Sequence, residues 1–121
     1  MTKYKAKGFN NTFKNARKGF RLVFRSETNI RVHILIAFLV LIAAYMFGFS
    51  AAEYCIIMLA IAIVIVSEML NTAIEFTLDS VFHNRYSRMV GMAKDISAGA
   101  VMIASIISAT IGIVLFCKHI M

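Results

Sequence analysis

Ile96–Cys117 reads ISAGAVMIASIISATIGIVLFC, twenty-two consecutive residues without a formal charge, and the chain contains no proline that could interrupt it. A helix needs about 20 apolar residues to cross the ~30 Å hydrocarbon core of a bilayer, so this run is long enough to span one. Ile34–Ala52, ILIAFLVLIAAYMFGFSAA, is a second uncharged run of nineteen. Between the two, only fourteen residues, Tyr54 to Ser67, separate Glu53 from Glu68. Fourteen residues rise ~21 Å as a helix, short of the core thickness. A helix starting near Glu53 must therefore continue past Glu68, which buries that carboxylate about one turn deep. These stretches predict an all-α integral membrane protein with three transmembrane helices, at about 32–50, 53–82 and 92–118. The second of them extends beyond the membrane.

The composition agrees with that class. Of 121 residues 60% are apolar and 16% charged, with mean hydropathy +0.79. A soluble domain of this size needs far more polar surface. The net charge of +7 is uneven: residues 1–31 hold nine of the thirteen Lys and Arg against one acid, Glu27, while Phe49–Tyr54 holds no Lys or Arg. Positive charge stays on the cytoplasmic side, which predicts a cytoplasmic N-terminus. Anionic lipid is then the natural partner of the basic arm, not nucleic acid. A secretory signal is excluded, because the basic region and the apolar run are both too long and no small-x-small cleavage site follows. Cys55 and Cys117 read as two unpaired membrane thiols, with no metal-ligand spacing to His33, His83 or His119.

Before the first span, Phe9, Phe13, Ala16, Phe20 and Phe24 recur at helical spacing, and Lys14, Arg17, Lys18, Arg21 and Arg25 fill the other face. Aromatic anchors opposed by basic residues predict an amphipathic helix over about 8–28, lying in the membrane interface. In the third span Ala100, Ala104, Ser108 and Gly112 place a small residue at every fourth position. Such a stripe lets membrane helices approach closely and is structural. No repeat or second domain is visible, so the chain reads as one membrane domain.

The chemistry gathers on the second span. At ~100° per residue from Glu68, Asn71 falls at about −60°, Thr72 at +40°, Glu75 at −20° and Asp79 at +20°. Three acids thus share one narrow stripe with two further polar residues. Ionisable groups in a membrane helix cost on the order of 3 kcal/mol at the centre and are tolerated facing a protein interior or an aqueous cleft. Like charges this close repel unless one is protonated or a cation sits among them. A divalent metal resolves both difficulties, whereas a helix-packing stripe of protonated carboxyls explains one Asn better than three acids. Topology brings Glu27, the loop residues Arg85 and Arg88, and Lys94 with Asp95 to the same membrane face. Carboxylates with Lys and Arg at a lipid–water boundary suit a metal-bound polyphosphate. No Gly-x-x-x-x-Gly-Lys-Ser/Thr loop and no kinase-type Gly-rich loop is present. A proton-coupled transporter is the competing class, but it wants its acid near the bilayer midplane and has no use for Lys94-Asp95.

Glu68-Met-Leu-Asn71-Thr-Ala-Ile-Glu75, then Asp79 and Ala93-Lys94-Asp95-Ile-Ser-Ala98-Gly-Ala-Val101, resembles the signature of the prokaryotic diacylglycerol kinase family. The resemblance extends to Gly19 and to Glu27-x-Asn29, and so covers nearly the whole chain. It implies a homotrimeric lipid kinase that moves the γ-phosphate of ATP, as a Mg²⁺ complex, onto a membrane lipid alcohol. By that resemblance Glu68 is the general base and Glu27 and Glu75 are metal-binding carboxylates. ATP contacts fall to Glu27, Glu75, Arg85, Tyr86, Ser87, Lys94 and Asp95, with Asn71 and Ala98 in supporting or substrate-binding positions. The Gram-negative form of the family has an acid in place of His33, a tyrosine near Asn15, and Tyr-His in place of Tyr86-Ser87. Asn29 with His33 resembles the Gram-positive branch, whose members often act on undecaprenol; diacylglycerol is the alternative acceptor.

Overall fold

The computed structural model describes residues 8–121, so Lys3, Lys5 and Lys7 of the predicted basic arm lie outside the described residues. Four helices account for nearly all of that range: α1 (Gly8–Ser26), α2 (Thr28–Met46), α3 (Ala51–Phe82) and α4 (Arg88–Ile120). The last three are long and apolar enough to cross a membrane. At ~1.5 Å per residue, the 32 residues of α3 and the 33 of α4 each extend ~50 Å, well beyond the ~30 Å a bilayer core requires. Both therefore overhang the membrane.

Helix α1 is amphipathic in the expected sense. Its phenylalanines form a row, Phe9 stacking on Phe13 and Phe20 tilted against Phe24, and all four rings are exposed. Only Val23, near its end, is buried. One residue, Glu27, separates α1 from α2. Its backbone is extended (φ −119°, ψ 116°), which breaks the helix and turns the chain into the first span. Arg31, one turn into α2, reaches back across this elbow. Its Nη1 donates to the carbonyls of Phe24 and Arg25, each at 3.0 Å, and its Nη2 donates to Thr28 Oγ1 at 3.2 Å. Carbonyls at a helix end have no partner within the helix, so one guanidinium both caps α1 and fixes its angle to α2.

The α2–α3 turn is short because its residues suit it. Gly48 sits at φ +75°, where a side chain is disfavoured, and the amides of Gly48 and Phe49 donate to the carbonyls of Tyr45 and Ala44. This leaves Ser50 to start α3 with a capping box: its Oγ accepts from the Glu53 amide, and Glu53 Oε1 accepts from the Ser50 amide at 2.9 Å. Phe49 closes over Ala44, Ile57 and Leu115, so the turn is also an apolar plug.

Helices α3 and α4 form the main packed pair. Three of the four small residues expected to allow close approach do so: Ala104 is buried, Ser108 Oγ donates to the Ala60 carbonyl at 2.8 Å, and Gly112 lies against Ile57, whereas Ala100 is exposed. At the turn end Glu53 is buried and binds both Lys118 (3.1 Å) and His119 (3.0 Å) near the C-terminus of α4, while Phe49 stacks on the His119 ring at 4.8 Å. Cys55 and Cys117 are unbridged.

Replacing Ser50 by Ala removes one half of the capping box and should lower stability by about 1 kcal/mol. Glu53→Gln should cost more, because it also removes the charge facing Lys118 and His119. Thermal or SDS denaturation in micelles, followed by circular dichroism, measures both.

Candidate functional site

The polar stripe, Glu68 to Asp79, occupies the C-terminal half of α3. Glu68 is 5% exposed and Thr72 3%, while Asn71, Glu75 and Asp79 are half-buried. Thr72 Oγ1 donates to the Glu68 carbonyl one turn back, so it consumes its own polarity within the helix. Asn71 Nδ2 faces Glu75 Oε1 at 3.4 Å, and Asn71 Oδ1 is buried without any hydrogen-bond partner. A buried acceptor left unpaired costs on the order of 1–3 kcal/mol, and the sites where one persists are often sites of function.

Three other elements converge on this stripe. From α4, Lys94 Nζ donates to Asp79 Oδ1 at 2.8 Å. From the elbow before α2 comes Glu27, half-buried, whose side chain caps no helix. Glu75 lies within electrostatic reach of Glu27, Lys94, Asp79 and Glu68 together. Glu75 thus stands among three further carboxylates and one ammonium at one end of the helix bundle. Both members of the Lys94–Asp79 pair are more than a third exposed, and such a pair adds at most about 1 kcal/mol of stability. Its effect is to hold the ammonium beside the acids.

The remaining predicted residues lie around this cluster and not in it. His83 and Asn84 both take the left-handed conformation (φ 52° and 63°) that folds the chain sharply after α3. Ser87 then caps α4, its Oγ accepting from the Val90 amide at 3.2 Å. Arg85 is exposed, and Tyr86 is exposed with its ring lying over Gly91, where a Cβ would come within 3.0 Å of it. Asp95 and Ala98 are exposed on α4, and among the described residues Asp95 forms no ion pair. The residues that fold the loop are thus distinct from those it leaves outward.

Two contacts on this side of the bundle were not expected from the sequence. His33 Nε2 on α2 stands 3.4 Å from Glu68 Oε1 on α3. The elbow clamp of Arg31 is the other. Neither has a periodic signal, because each depends on how two helices meet. Comparing depths along α2 and α3 could have paired His33 with Glu68.

His33 also lines one end of a groove of about 450 Å³. The groove passes between α2, α3 and α4 along Val40, Ile61, Ala109 and Ile113 to Phe116, and is almost wholly apolar. A smaller cavity of about 420 Å³ lies between α3 and α4 beside Asn71 and Ser97.

The donor set is compatible with a hard divalent cation. Glu27, Glu75 and the orphaned Asn71 Oδ1 offer oxygen only. Among the described residues no three carboxylate, imidazole or thiol groups already form a closed cage. Mg²⁺ seldom takes an all-protein cage; one or two carboxylates with phosphate oxygens and water are its usual shell.

Arg31→Ala should free the carbonyls of Phe24 and Arg25 and loosen the elbow that carries Glu27. The expected outcome is a loss of about 1 kcal/mol of stability and a broadened distance distribution between spin labels on α1 and α2.

The chain resembles known proteins over most of its length. An undecaprenol kinase of Bacillus subtilis (strain 168) is 36% identical over 108 residues, covering 89% of this chain and 87% of that one. A diacylglycerol kinase of Synechocystis is 31% identical over 101 residues, covering 84% of this chain but only 58% of its own greater length. A diacylglycerol kinase of Escherichia coli (strain K12) is 28% identical over 102 residues, covering 84% and 83%. Residues 14–116 match the family model described as prokaryotic diacylglycerol kinase, a range that takes in the Glu27 elbow, the whole acidic stripe and Lys94. With the match running through every element that builds the cluster, the chain belongs to the prokaryotic diacylglycerol kinase family.

Proposed function

We propose that this protein is an ATP-dependent lipid kinase that phosphorylates undecaprenol at the cytoplasmic face of a bacterial plasma membrane. The observation that carries the reading is the convergence of Glu27, Glu68, Glu75, Asp79 and Lys94 next to the end of an apolar intramembrane groove. A phosphoryl donor needs cations and oxygen ligands; a lipid alcohol needs an apolar bed that delivers its hydroxyl to a base. Both sit at the same end of this bundle.

In this reading Glu68 takes the proton of the lipid hydroxyl. The hydroxyl oxygen forms its bond to the γ-phosphorus as the bond to the β–γ bridging oxygen breaks, giving lipid phosphate and ADP. Glu27 and Glu75 would hold Mg²⁺, with Asn71 beside them; the bound ion supplies charge neutralisation to the triphosphate. Lys94, held by Asp79, faces the transferred group. Arg85, Tyr86, Ser87 and Asp95, on the loop and the first turns of α4, are taken as the outer contacts of the nucleotide, and Ala98 as part of the substrate wall.

The choice of undecaprenol rests on the groove. Along α4 it runs from Ser105 to Phe116, ~17 Å of helix, against ~15 Å for half a bilayer core. One continuous groove about a leaflet in length suits a single long prenyl chain better than a pair of acyl chains. The similarity to the Bacillus subtilis undecaprenol kinase agrees. Diacylglycerol is the second reading, favoured by the names of the Synechocystis and Escherichia coli relatives. The reading also takes the protein as a homotrimer with its N-terminus cytoplasmic. The distribution of Lys and Arg supports that orientation, and chemical cross-linking in membranes tests the trimer.

A side-by-side assay with Mg-ATP and each lipid in matched micelles decides the acceptor: undecaprenol should give the higher kcat/KM, and turnover of neither ends the kinase reading. Glu68→Gln should lower turnover at least ~10²-fold while leaving Mg-ATP binding nearly intact, whereas Glu75→Gln should weaken that binding. Ala109→Phe, which fills the groove, should raise KM for undecaprenol far more than for a short prenol such as farnesol.

A further inference from the structure

We propose that His33 is a positioning residue for Glu68, fixing which carboxylate oxygen is left to receive the lipid proton. The inference rests on the reading of Glu68 as the base and adds a second helix to its machinery. His33 Nε2 lies 3.4 Å from Glu68 Oε1, and the two side chains are 28% and 6% exposed. Among the described residues no other side chain pairs with that carboxylate; the neighbouring hydroxyl of Thr72 is spent on the Glu68 backbone. His33 is also the one titratable residue lining the apolar groove. A lipid hydroxyl arriving along the groove therefore meets the imidazole edge on its way to the acid.

An imidazole carrying its proton on Nε2 donates to Oε1 and leaves Oε2 as the acceptor for the substrate. At 3.4 Å the contact is longer than a settled N–H···O bond, and catalytic contacts are often loose before substrate closes on them. Without this partner, Glu68 has rotamer freedom and the second oxygen competes for the same proton. Misplacement of a reacting group by about 1 Å lowers rate by about 10²-fold. The effect belongs to turnover, not to nucleotide binding, since Glu27, Glu75 and Lys94 lie on other elements and do not involve His33.

The amide nitrogen of Gln falls near the place of His Nε2, whereas that of Asn falls near Nδ1. Wild type, His33→Gln, His33→Asn and His33→Leu are compared in mixed micelles for kcat, KM for lipid and KM for Mg-ATP, with circular dichroism and SDS resistance as folding controls. We expect kcat within a few-fold of wild type for Gln and about 10²-fold lower for Asn and Leu, with KM for Mg-ATP unchanged throughout. The Gln–Asn pair decides the matter even if Leu fails to fold, because both carry the same polar amide and differ only in the one methylene that sets its reach. If Asn retains as much turnover as Gln, or if Gln falls as far as Leu with its fold intact, the assignment is wrong. A wild type that phosphorylates neither lipid sinks the kinase reading itself. A wild type that is active, with an inactive Glu68→Gln and an indifferent His33 series, sinks the positioning role alone.

Discussion

A carboxylate inside a membrane helix must face something other than lipid, and the arrangement of this protein follows from that constraint at Glu68. The residue lies too far along α3 to reach the surface near Glu53 and too early to stand in water at the far end. Its environment is therefore built from neighbouring helices: α2 supplies His33, and α4 packs along the other side through Ala104 and Ser108. Once Glu68 faces inward, helical periodicity carries Asn71, Glu75 and Asp79 along the same stripe to the end of the bundle. The cation-rich elements, the Glu27 elbow and the start of α4, close on that stripe because they are the chain segments that flank the spans.

The two ends of the bundle handle charge in opposite ways. At the α2–α3 turn, Glu53 has its obligations met by the Ser50 amide, Lys118 and His119, and the arrangement is closed. At the other end Glu75 stands among three further carboxylates and a single ammonium, and Asn71 Oδ1 has no partner. Satisfied polar clusters rigidify; unsatisfied ones are reserved for a ligand or store strain. The same residue types, acid with Lys and His, form a closed cluster at one end and an incompletely paired one at the other. The difference lies in the balance of donors and acceptors.

Much of this architecture was legible before any coordinates. The uncharged runs set three spans, the Phe spacing set α1, and the shortfall between Glu53 and Glu68 forced α3 to be long. The angular arithmetic along α3 put the acids on one face, because a helix has only one way to repeat. What the sequence could not carry is contact between helices. Lys94 with Asp79 could be guessed from topology, but His33 against Glu68, Arg31 over the end of α1, and Glu53 with His119 depend on crossing angles and rotamers. The apolar groove is in the same category: its lining residues come from three helices and look, in sequence, like any other lipid-facing surface.

Surface turns usually accept extra residues with little penalty, but the one joining α2 to α3 is built otherwise. Four residues, Phe47 to Ser50, return the chain, with Gly48 in a left-handed conformation and the flanking amides already committed to the end of α2. That rigidity sets the register between the two helices. Lengthening the turn by a single residue would require one helix to rotate by ~100° or slide by ~1.5 Å relative to its neighbour. The imidazole of His33 and the carboxylate of Glu68, several turns away, would then no longer oppose each other. The connecting piece acts as a gauge block for a contact it never touches.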